Sequence, residues 1–203
     1  MFLYHGTSRV FDSFDAGAQE GGQLGSAFYF TDNEAVAENF AVFRHVPEIR
    51  GFESQPDLDA FLRQHPDWTL SDQQDVGGKI VATFTTPESM PQVLTVELDV
   101  QRPLGLDETA SADLVGAATA AGVPPSDWNS AGELCDAALE YFHGRPIEEE
   151  DDVTAANGEL LAVVQAAGHD AVTRPDERNG VAHRAWIVFD VGKIRIVGRR
   201  ALG

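Results

Sequence analysis

Apolar and polar positions alternate along residues 93–100. Leu94, Val96, Leu98 and Val100 take one parity, and Val93, Thr95, Glu97 and Asp99 the other. That period of two is expected of a half-buried strand. Shorter apolar runs read as further strands: Phe2-Leu3-Tyr4, Ala27 to Phe30, Lys79 to Thr85, Ala171-Val172, Trp186 to Phe189 and Ile194 to Val197. The strands at 79–85 and 93–100 are expected to flank a connection marked by Pro87 and Pro91.

Helical spacing appears elsewhere. Thr31 and Glu34 have the spacing of a capping box, and Val36, Phe40 and Phe43 then fall on one face. Leu58 to Gln64 is a short helix within a polar excursion, residues 44–78, that is broken by prolines and Gly77-Gly78. Leu134, Ala138, Tyr141 and Phe142 form one apolar face. A last helix, Glu159 to Ala167, stops at Gly168, a residue type suited to the left-handed position after a helix. Gly17 to Gly25 and Thr173 to Arg184 read as polar loops, and Glu148 to Asp152 as an acidic one. Strands surround two insertions, so the fold class is α+β. Residues 1–203 form a single domain, with the excursion at 44–78 and a helical insertion at 104–160.

Charge sharpens this picture. The chain of 203 residues has a formal net charge of −19. Residues 104–160 hold thirteen acids and one base, Arg145. By contrast, Arg174 to Arg200 contains seven bases against Asp176, Glu177 and Asp190. Most of those arginines are expected to neutralise nearby acids. An anionic ligand would be drawn to that segment and repelled by the acidic insertion, which should therefore pack away from any phosphate site. The overall acidity argues against nucleic acid and anionic membranes as partners. No apolar run is long enough to cross a membrane, and the first residues do not resemble a secretory signal, so a cytoplasmic location is expected. The single cysteine, Cys135, is expected to be a small buried filler. No group of side chains has metal-ligand spacing, so no metal is expected.

Three stretches can carry chemistry. In Tyr4-His5-Gly6-Thr7 an imidazole stands beside a closely approachable backbone. Such a pair can bond a ribose hydroxyl and a carboxamide. In Ala27-Phe28-Tyr29-Phe30-Thr31-Asp32, Tyr29 precedes Phe40 by one helix, and two such aromatics can face each other across a slot for a flat ring. The third runs from Gly168-His169-Asp170 to Trp186-Ile187-Val188-Phe189-Asp190.

In this order the three stretches resemble the ADP-ribosyltransferase superfamily, in the branch of diphtheria-type toxins and poly-ADP-ribose polymerases. Domains of phage and mobile-element proteins are similar. The resemblance implies a split β-sheet core and NAD as substrate. It implies that His5 orients NAD through the ribose, that Gly6 holds the nicotinamide carboxamide, and that Thr7 belongs to the same binding segment. Tyr29 would stack on nicotinamide with Phe40 opposite. The implied reaction cleaves the nicotinamide–ribose bond and passes ADP-ribose to an acceptor, expected to be a protein.

One position departs from the family pattern. Active relatives often carry a glutamate before the closing strand's first aromatic, where this chain has Ala185 after Arg184. Glu177, or Asp176 beside it, is the candidate replacement carboxylate, and His183 a candidate hydrogen-bond donor. The expected function is mono-ADP-ribosyl transfer. A non-catalytic NAD- or ADP-ribose-binding module is the alternative, followed by an RNA 2′-phosphotransferase, which the acidity and Phe28-Tyr29-Phe30 disfavour.

Overall fold

The alternating run at 93–100 becomes the strand around which both chain ends assemble. In the computed structural model, residues 1–15, 27–43, 48–86, 90–147 and 154–202 are described. The elements in chain order are β1 (Phe2–Thr7), β2 (Phe28–Thr31), α1 (Glu34–Phe43), β3 (Glu48–Phe52), α2 (Gln55–Gln64), β4 (Thr69–Val76) and β5 (Lys79–Thr85). They continue with β6 (Gln92–Leu98), β7 (Pro103–Gly105), α3 (Ala112–Ala120), α4 (Ala131–His143), α5 (Thr154–Ala166), β8 (Ala171–Arg178), β9 (Val181–Val188) and β10 (Ile194–Ala201). Seven strands form one mixed sheet in the order β10-β6-β1-β2-β9-β8-β7, in which β7 and β8 are parallel. The α+β class is therefore what the chain adopts.

Three corrections to the sequence reading concern its polar segments. The excursion is not loop around one helix: β3, β4 and β5 make a second sheet, order β3-β5-β4. Helix α2 covers one side of it through Leu58, against Ala82 and Phe84. The strands at 79–85 and 92–98 thus lie in different sheets. The expected loop at 173–184 is also strand. β8 and β9 pair without interruption from Ala171↔Val188 to Arg178↔Val181. Asn179 and Gly180 turn between them with φ of 52° and 76°, the positive values that a two-residue hairpin turn needs. The third correction is at α1, whose start is set by Asn33. Its Oδ1 accepts the Ala35 N–H at 3.0 Å, and Thr31 Oγ1 accepts the Asn33 N–H at 3.1 Å. Glu34 does not close a capping box but receives Arg200.

Two clusters cover the large sheet. Helices α3, α4 and α5 pack on one face through Leu114, Leu134, Leu160 and Val164, against Val172 and Ile187. Ser111 and Ser130 cap α3 and α4 by accepting the Leu114 and Glu133 N–H groups at 3.2 Å each. Gly144 ends α4 at φ 83°. Tyr141, expected on the apolar face of α4, is 46% exposed. The other face carries Leu3, Phe30, Leu94, Val96 and Val188, with Phe11 and Phe14 against them. The turn Gly17–Gly25 and the acidic stretch Glu148–Asp152 lie outside the described residues.

Asp170 ties three segments together. Its Oδ1 accepts the Arg102 N–H at 2.9 Å, and Oδ2 accepts the Gln101 N–H at 2.8 Å and Lys193 Nζ at 2.7 Å. Burial pushes the carboxyl up, but Lys193 and the two backbone donors outweigh it, so its pKa lies below the ordinary value. A depressed carboxylate stabilises the fold above its unfolded pKa, near 4, and loses that stabilisation as pH falls through the folded value. Asp170→Asn should therefore lower stability at pH 7 and flatten the acid limb in urea unfolding between pH 5 and pH 2, a range set roughly by that pKa. An acid limb as steep as wild type would show that the network is not what titrates.

Candidate functional site

The three stretches singled out above, far apart in the chain, become the neighbouring central strands β1, β2 and β9. β1 and β2 share one registered pair, Tyr4↔Thr31, whereas β1 and β6 share six, from Phe2↔Glu97 to Thr7↔Gln92. The sheet is thus thinly joined at its middle. Across that seam His5 Nδ1 lies 2.8 Å from the carbonyl oxygen of Tyr29. A carbonyl only accepts, so Nδ1 carries the hydrogen.

The side chains of His5 and Tyr29 lie on opposite faces. The His5 ring sits among Phe14, Phe30 and Phe11, at 5.2, 5.6 and 6.4 Å between centroids. Tyr29 packs instead with the helical cluster that contains Ile187. The helical insertion therefore does not pack away from Tyr29, as charge repulsion suggested. The part of that face formed by Tyr29, Val172 and Ile187 is apolar and needs cover, and the insertion's apolar stripes provide it.

Gly6 and Thr7 have local structural causes. A Cβ on Gly6 would stand 1.9 Å from the Ala37 carbonyl oxygen and 2.8 Å from Ala41 N, because α1 lies directly on the β1 backbone. Thr7 is buried, and its Oγ1 accepts the Arg9 N–H at 3.1 Å to turn the chain out of β1. Phe40 does not stand bare either. The Arg178 guanidinium lies over its ring, 3.8 Å from carbon to centroid, and 5.3 Å from Phe43. Phe43 is 77% exposed, so the buried stripe of α1 is Val36, Ala37 and Ala41 rather than Val36, Phe40 and Phe43.

Strand alternation defines a strip on the Tyr29 face. Ala185 is opposite Thr31 on one side and Arg174 on the other. His183 is opposite Asp176, and its Nδ1 is 3.1 Å from Thr31 Oγ1. Arg174 and Asp176 pair at 3.5 Å. Glu177 is exposed and opposite Ala182, hence on the other face from His183. Asp176, not Glu177, is the loop carboxylate that the hairpin brings to the strip. Arg184 likewise points away from the strip. It holds Asp107 through two bonds of 3.0 and 3.1 Å and Thr173 Oγ1 at 3.2 Å. Those bonds hold the Asp107 carboxyl below the usual carboxylate range. Glu97 is paired with Arg195.

Comparisons with protein-family models, curated proteins and solved structures find no match to this chain.

Arg174 and Arg178 escaped the sequence reading because the hairpin did. The signal was Asn179-Gly180 between two runs able to pair. Most of the C-terminal cations neutralise acids, as expected: Lys193 with Asp170, Arg195 with Glu97, Arg199 with Asp12, and Arg200 with Glu34 and Glu38. Cys135 is buried, which pushes its thiol up to about 12, so it is a core residue and no nucleophile at neutral pH. Among the described residues no group of His, Cys, Asp and Glu is arranged to hold a metal, and no helix is long and apolar enough to cross a membrane.

Proposed function

We propose that the protein binds NAD at the β1–β2–β9 seam and transfers ADP-ribose to a protein acceptor. The observation that carries this reading is the convergence of three separated motifs on adjacent strands, with His5 bonded to the backbone of Tyr29 across a single-pair seam. In this reading Tyr29 offers its ring to nicotinamide, and the strip of Thr31, His183 and Asp176 lies where the ribose and acceptor meet. Breaking the nicotinamide–ribose bond develops positive charge on the ribose. The residues' contribution is then orientation and electrostatics. Asp176 is the carboxylate offered for that charge, in place of Glu177. Phe40 acts through the guanidinium it supports.

A second reading, an NAD-binding module without turnover, is favoured by Ala185. This position is 9% exposed and offers no carboxylate.

NAD should stabilise the fold by an increment that grows with concentration, about 2.7 kcal/mol at one hundred times Kd, and so raise the melting temperature. Tyr29→Leu should remove most of that increment, judged against the variant's own ligand-free melting temperature. No shift at millimolar NAD would end both readings. A shift without nicotinamide release, even with lysate as acceptor, would leave the binding module.

A further inference from the structure

We infer that Arg178 is a phosphate-binding residue that holds the pyrophosphate of a dinucleotide. The assignment of the ligand as a dinucleotide rests on the reading proposed above; the anion site does not.

Arg178 differs from the other cations of the C-terminal segment. Those of β10, and Arg184 and Arg174, are each held by a carboxylate. Among the described residues no carboxylate pairs with Arg178, in a protein whose net charge is −19. Its guanidinium rests on the Phe40 ring and borders Phe43. Its Nε is buried and has no acceptor. A buried donor without an acceptor is costly, so a small shift of the side chain that brings Nε–H to a ligand oxygen is favoured.

The geometry suits phosphate. Stacking on an aromatic face uses the π surface of a guanidinium, which leaves the terminal N–H groups to bond outward. A fixed planar fork fits the paired oxygens of a phosphate, and it binds them with charge-assisted bonds. Arg178 closes β8 immediately before the Asn179-Gly180 turn, on the same face as Asp176, Arg174 and His183. That is the face of Tyr29, so a ring at Tyr29 and a phosphate at Arg178 would lie along one strip. Asp176, the acid of that strip, is engaged by Arg174, which leaves Arg178, among the described residues, as the cation open to phosphate.

The test is calorimetric titration of wild type, Arg178→Gln and Arg178→Lys with three probes: NAD, ADP and nicotinamide. Arg178→Gln should weaken ADP and NAD at least tenfold and leave nicotinamide unchanged. Arg178→Lys should recover only part, since it restores charge without the stacked plane. Raising the salt should weaken ADP binding to wild type. A titration of wild type followed at the Arg178 Nε–H resonance keeps the test decisive if the glutamine variant is unstable; that signal should shift on adding ADP. If Arg178→Gln binds ADP as wild type does, or the resonance does not move, the assignment falls while NAD binding stands. Tighter nicotinamide binding by Arg178→Gln would also overturn it, by showing that the side chain occludes the ring site. ADP binding lost with Arg178, but with NAD no tighter than ADP and nicotinamide inert, keeps the anion site and rejects NAD as ligand. Binding of neither ADP nor NAD to wild type rejects both.

Discussion

Gly6→Ala should lower stability by about 3 kcal/mol, at the upper end of what overpacking usually costs. The added methyl would sit 1.9 Å from the Ala37 oxygen and 2.8 Å from the Ala37 carbon and Ala41 nitrogen. All three are backbone atoms of α1, so no side-chain rotation relieves the clash. The helix must lift from β1, and with it the buried contacts of Val36 and Ala41. For a chain of this size the loss corresponds to roughly 6–12 °C in Tm. A drop under about 2 °C would mean that α1 does not rest on Gly6. The result also bears on ligand studies. NAD binding lost in Gly6→Ala would report displaced structure before it reported a lost carboxamide contact, so Tyr29 is the better probe of the site.

Ala185→Glu should raise nicotinamide release from NAD by about 10²–10³, the usual worth of one well-placed stabiliser of transition-state charge. The new carboxylate would stand between Thr31 and Arg174 on the Tyr29 face. Arg184, adjacent in sequence, cannot mask it, because it lies on the other face and is bound to Asp107 at 3.0 and 3.1 Å. Arg174 can, so the informative comparison places Ala185→Glu in an Arg174→Ala background. Asp176→Asn tests the converse, the loss of whatever rate wild type has. If the double variant releases nicotinamide no faster than Arg174→Ala alone, the strip is not where the bond breaks, and the catalytic part of the proposal fails.

What the sequence made legible follows from how each element is buried. β6 and β2 were readable because one or both faces are covered by apolar neighbours, so their side chains carry the pattern. β3 and β4 were not. Nearly every residue of Glu48–Phe52 and Thr69–Val76 is exposed, and their order comes from pairing with β5, which leaves no hydrophobic period. The outer half of the β8–β9 hairpin was hidden for the same reason, and its Asn-Gly turn was the available clue. The three motifs were legible as motifs. That His5 would meet Tyr29 through a carbonyl rather than a ring, and that Phe40 would carry Arg178, depends on face and register, which a one-residue shift reverses.

The position of β6 between β1 and β10 has a consequence for synthesis. Residues 48–85 bring together Leu58, Ala82 and Phe84 within a local stretch, and none of these belongs to the other two clusters. That small sheet can close while later residues are still being added, since short loops close readily. The large sheet cannot. Its strand β6 is covered on one side early, by β1, but its other edge stays open until residues 194–201 pair along it. Throughout translation of the helical segment, the exposed backbone of Gln92–Leu98 is an unpaired edge of apolar sequence. An open edge of that kind is where an incomplete chain is most exposed to wrong pairing, so closure by β10 is the step that ends the hazard.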